Sequence, residues 1–163
     1  MNISPLIDCL LIGLGATLIM DLWGLLRHPL LGMPLPSYYL VGRWLCHMPK
    51  GQFRHQAIAK ASPVLGETLI GWLAHYLIGV SFAALLLLIT GSQWLTEPSL
   101  SPALAVGLVT VLAPFLLMQP GMGAGIAASR LPNPGQARLH SLLTHGIFGL
   151  GLYLSALGLR LFH

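Results

Sequence analysis

Four apolar runs, each about as long as a bilayer is thick, constrain this chain more than any other feature. They cover residues 3–26, 68–90, 102–127 and 139–159. A helix needs about 20 mostly apolar residues to span hydrocarbon. Backbone groups in lipid must hydrogen-bond within their own segment, and runs of this length do not suit tilted barrel strands. The predicted fold class is therefore all-α: a polytopic four-transmembrane-helix bundle, forming one integral membrane domain over 1–163. Composition agrees. Only 7% of the 163 residues are charged against 55% apolar, and the mean hydropathy is +0.79. Twelve charged side chains cannot cover a soluble globule of this size. The N-terminus lacks a positive n-region and an A-x-A cleavage pattern, so the first run is expected to stay as a helix.

Lysine and arginine set the orientation. The first loop carries Arg27, Arg43, Lys50, Arg54 and Lys60, and the third carries Arg130 and Arg138. The second has only Glu97, and Arg160 lies near the C-terminus. The positive-inside rule puts loops one and three in the cytoplasm and both termini outside. The same distribution accounts for the net charge of +4 without nucleic acid, because no basic stripe with interleaved aromatics occurs on a soluble unit. Cys9 falls in the first span and Cys46 in a loop, so a disulfide is not expected.

The first loop is too long for a simple connector. Ser37 suits an N-cap. Leu40, Val41, Trp44, Leu45 and Met48 recur on one helical face, with Gly42, Arg43, Cys46 and His47 opposite. With Tyr38 and Tyr39 beside them, they predict a short interfacial helix in the first cytoplasmic loop, its apolar face in the headgroup zone.

Ionisable groups inside spans are costly and mark candidate function. Asp21, His75 and His145 each lie about 9–12 Å in from the cytoplasmic end at 1.5 Å per residue, and Gln119 falls at a similar level. Together they predict a polar layer that binds a proton, an ion or a polar ligand. Thr17, Glu67 and Ser141 support it from the same faces one or two turns away. L-x-H-x-x-x-G occurs at Leu73–Gly79 and again at Leu143–Gly149, which suggests a duplicated hairpin. His75 and His145 at matched depth are also a possible axial pair for haem. His28, Cys46, His47 and His55 match no closed zinc spacing. Catalysis has little support. Asp21 with a histidine has the makings of a base, but Thr17 and Ser141 suit backbone hydrogen bonds better than nucleophilic attack.

The third span ends in Gln119-Pro120-Gly121-Met122-Gly123-Ala124-Gly125. A break at Pro120–Gly121 would aim backbone N–H groups at an anion or lipid headgroup, with Gly121, Gly123, Gly125, Arg130 and Arg138 around it. Close packing through Gly121 and Gly125 is the competing explanation.

Several strings carry a family resemblance: Gly13-x-Gly15-Ala16-Thr17-x-x-Met20-Asp21-Leu22-Trp23, Val41-Gly42-Arg43-Trp44, Gly66-Glu67, Gly71-Trp72-x-x-His75-Tyr76, Met118-Gln119-Pro120, Gly123-Ala124-Gly125, Pro132-Asn133-Pro134 and His145-x-x-Phe148-Gly149-Leu150-Gly151-x-Tyr153. Together they resemble a bacterial inner-membrane family catalogued as domain of unknown function 2938. The resemblance covers nearly the whole chain. It implies the four-helix topology and brings no activity. Three functions remain open from the residues: a small transport or carrier component, an accessory subunit, and a haem- or metal-carrying redox protein. The expected partners are the lipid bilayer and a second copy of the chain or a larger membrane protein.

Overall fold

The computed structural model describes residues 5–161, so the expected start of the first span at residue 3 lies outside the described residues. The chain is 78% helix, with no strand among the described residues. Its elements are α1 (Pro5–Leu31), α2 (Tyr38–His47), α3 (Glu67–Thr90), α4 (Gln93–Thr96), α5 (Leu100–Val109), α6 (Gln119–Met122) and α7 (Pro134–Arg160). Single 3-10 turns cover Met48–Lys50, Ile58–Lys60 and Ile126–Ala128, and a π turn covers Pro114–Met118.

Among the described residues, four segments are long and apolar enough to cross a membrane: Pro5–Leu30, Glu67–Thr90, Leu100–Met122 and Pro134–Arg160. Their outer faces are bare leucine, with Leu6 80%, Leu88 83% and Leu117 68% exposed. Lipid tails make that exposure inexpensive, and water would not. The third span is shorter than the sequence suggests. It ends at Met122, because Gly123 takes a left-handed φ of 98° and closes the helix. The N–H groups of Gly123 and Ala124 turn back to the carbonyls of Pro120 and Gln119, satisfying the last helical acceptors.

The chain forms two compact units. Unit 1 comprises residues 1–35, 76–110 and 143–163, and unit 2 comprises 36–75 and 111–142. In unit 1, small residues let helices touch backbone to backbone. A β-carbon on Gly107 would lie 2.6 Å from Gly149 Cα, one on Gly151 2.9 Å from Ala16 Cα, and one on Gly13 2.5 Å from Val80 Cα. Ile12, Leu86, Leu152 and Phe148 fill the space between, with Phe82 and Phe148 edge to face at 6.1 Å.

In unit 2, α2 crosses the first turns of α3 at Gly42 and Gly71. A β-carbon on Gly42 would lie 2.7 Å from Gly71 N. The segment expected at the interface is therefore a helix, with its burial inverted from a soluble one. Gly42, Arg43 and His47 are buried. Leu40, Val41, Trp44, Leu45 and Met48 on the apolar face are only half-buried.

Candidate functional site: paired polar groups in two units

Unit 1 holds Asp21 and His145 from the expected layer. Asp21 lies one turn beyond Thr17 on α1. Thr17 is fully buried, donates to Gly13 O at 2.8 Å, and sits where Gly79 has no side chain. This close approach brings α3 alongside, and the Tyr76 hydroxyl donates to Asp21 Oδ2 at 3.0 Å. Nothing in the sequence marks Tyr76 as a partner for Asp21. Its signal was slight: a phenol beside a histidine, at a depth where an aromatic ring is also ordinary packing.

His145 on α7 faces α5. Its Nδ1 lies 3.1 Å from Thr110 Oγ1 and 3.3 Å from Gly107 O. Thr110 donates its own hydrogen to Gly107 O at 2.7 Å. Both partners therefore act as acceptors, which puts the neutral imidazole's proton on Nδ1 and leaves Nε2 with the lone pair. Gly107 and Gly149 make this possible by letting α5 and α7 meet without side chains between them.

Unit 2 holds His75 and Gln119. His75 stacks on Tyr38 with ring centroids 3.9 Å apart, and Trp72 meets both rings edge-on at 5.9 and 4.6 Å. Gln119 follows the π turn, a feature often found where helices carry function. Its Oε1 is buried without a hydrogen-bond partner among the described residues.

Glu67, expected to support the layer, is engaged by an arginine. It forms a two-pronged pair with Arg43, with Oε1 2.7 Å from Nη2 and Oε2 2.8 Å from Nε, and it accepts Val64 N–H at 2.8 Å. Arg43 Nη1 reaches the carbonyls of Ala61 and Ala59 at 3.2 and 3.4 Å. The Glu67 hydrogen bond raises the Arg43 pKa further above its already high ordinary value. This charge is fixed, and it clamps α2 to the start of α3. Ser141 is half-buried on α7.

Beside this clamp, His47 Nδ1 lies 2.9 Å from His55 Nε2, and His47 Nε2 lies 3.1 Å from Ser62 O. A carbonyl only accepts, so His47 carries its proton on Nε2 and takes one from His55 Nε2. His55 Nδ1 is left as a buried lone pair without a partner among the described residues. The other loop-one candidates stand apart. His28 Nδ1 donates to Met33 O at 2.8 Å, and Cys9 and Cys46 are free thiols. Among the described residues, no group of three or more His, Cys, Asp or Glu is placed to hold a metal ion.

The glycine-rich turn differs from expectation. The helix runs through Pro120 and stops at Gly123, so no break occurs at Pro120–Gly121. Proline is accommodated because it follows directly on the π turn Pro114–Met118, whose altered hydrogen-bond register absorbs its missing N–H. Gly121 packs on the Trp44 ring, where a β-carbon would meet Cζ2 at 2.6 Å, and its carbonyl accepts His55 N–H at 2.9 Å. Gly125 has φ of 76°. Arg138 Nε donates to Ala127 O at 2.8 Å, while Arg130 is exposed.

The family model for a protein of unknown function, DUF2938, matches residues 10–158. The chain belongs to that family. The match takes in Asp21, His75, Gln119, His145 and the Arg43–Glu67 pair. No curated protein and no solved structure matches the DUF2938 chain.

Proposed function

We propose that this DUF2938 protein is a small membrane transport or carrier component, in which Asp21, His75, Gln119 and His145 handle a proton or a polar ligand within the membrane. The observation that carries this reading is the Asp21–Tyr76 hydrogen bond at 3.0 Å. A carboxyl group in a span is expensive to keep. A phenol partner orients it while leaving it an acceptor. His145, held by Thr110 with Nε2 uncommitted, adds a second group able to exchange a proton. By the positive-inside rule we assign the lysine- and arginine-rich loops to the cytoplasm of a bacterial inner membrane and both termini to its outer side. A second copy or a larger membrane partner completes a path that four helices alone make narrow. The test is proton uptake into liposomes containing the purified protein and a pH-sensitive dye. Uptake above protein-free liposomes, lost in Asp21→Asn, is expected. Wild-type liposomes that behave as empty ones remove the proton-carrier reading.

The second reading is an accessory subunit. It is favoured by the backbone-to-backbone packing at Gly107, Gly149 and Gly151 in unit 1. Such packing suits a rigid partner, and stoichiometric co-extraction with a larger membrane protein would support it. A haem-carrying role would appear as a Soret band in the purified protein.

A further inference from the structure

Charge is divided unevenly between the two units. Unit 2 carries six Lys/Arg against one acid, a formal +5, and unit 1 carries two against three, a formal −1. Two of the six cations are occupied. Arg43 is spent on Glu67, the sole acid of the unit, and Arg138 is bonded to Ala127 O. Lys50, Arg54, Lys60 and Arg130 are exposed and make no ion pair or side-chain hydrogen bond among the described residues. All four lie outside the spans, three between Leu30 and Glu67 and one between Met122 and Pro134.

Backbone contacts tie these two stretches together. His55 N–H donates to Gly121 O at 2.9 Å. Gly123 abuts the Gln56 carbonyl, and a β-carbon on Gly125 would lie 2.9 Å from Arg130 Cγ. Arg54 and Arg130 thus flank the same Gly121–Gly125 turn, 76 residues apart in sequence. Exposed apolar side chains sit beside them: Phe53 at 60%, Ile126 at 61% and Leu131 at 41%. An acidic protein or a nucleic acid would match the charge and leave these in water. A lipid interface matches both, with phosphate for the cations and the acyl boundary for the apolar groups.

We propose that unit 2 binds the headgroups of anionic phospholipids in the bilayer that holds the chain, through Lys50, Arg54, Lys60 and Arg130. This surface is independent of the carrier reading and stands or falls without it.

The experiment is native mass spectrometry of the protein released from nanodiscs made of equal phosphatidylglycerol and phosphatidylcholine. The wild type is expected to retain phosphatidylglycerol preferentially, and less so as salt is raised. A variant carrying Lys50→Gln, Arg54→Gln, Lys60→Gln and Arg130→Gln should lose about tenfold or more of that preference. Arg54→Gln with Arg130→Gln alone should lose about half of it on a logarithmic scale, and it decides the matter if the fourfold variant fails to fold. Arg160→Gln, in unit 1, should leave it unchanged. Equal retention of the two lipids by the wild type, or a preference that the variants keep, overturns the proposal.

Discussion

Ala127 and Ala128 occupy the left-handed region, with φ of 46° and 60°, where an L side chain crowds the following carbonyl. The Arg138 hydrogen bond to Ala127 O holds one of them there. Ala127→Gly should raise stability by about 0.5–1 kcal/mol, since relief of strain outweighs the extra freedom of the unfolded chain. Ala128→Gly should gain less, because its methyl is fully buried. Thermal unfolding in one detergent compares the two. Tyr76→Phe should cost about 0.5–2 kcal/mol, the usual range for one interhelical hydrogen bond in a membrane. At this scale the sequence was only partly legible. Asp21 and His145 stood out because charge in an apolar run is rare. Tyr76 and Thr110, which hold them, did not, because a phenol or a hydroxyl in a helix has many ordinary uses. Glu67 shared a helical face with His75, and helical spacing alone carries no sign of the arginine on a different element that pairs with it.

Helix α2 shows where elements could be read and where they could not. Its spacing announced a helix with one apolar face. Soluble-protein habit would bury that face. Here Gly42, Arg43 and His47 are buried instead, because lipid accepts leucine and polar groups must find partners inside the protein. The crossing depends on two missing side chains. Gly42→Ala or Gly71→Ala places a methyl group against backbone, which no rotamer relieves. Either substitution should cost about 1–3 kcal/mol despite alanine's better helix propensity. Gly158→Ala, with open space around it in α7, should be neutral or stabilising by up to about 1 kcal/mol. The third span ends earlier than its hydropathy suggests for a related reason. Pro120 is the conspicuous breaker in sequence, yet the helix ends at Gly123, where a positive φ is needed. A proline beside a π turn is tolerated within a span, and the glycine that matters was one of three in five residues.

Across the whole molecule, the four spans were legible from hydropathy because the bilayer allows so few solutions. The partition into two units was not, because three of its four boundaries fall inside spans that hydropathy reads as uninterrupted. The expected layer is accordingly divided, with Asp21 and His145 in unit 1 and His75 and Gln119 in unit 2. The central claim is that these groups act and do not merely hold helices together. Structure and function separate when proton uptake and thermal stability are measured side by side on Asp21→Asn. The account predicts uptake lost while the unfolding temperature stays close to wild type, since asparagine can still accept the Tyr76 hydrogen bond. Uptake unchanged from wild type in the folded Asp21→Asn protein would contradict it.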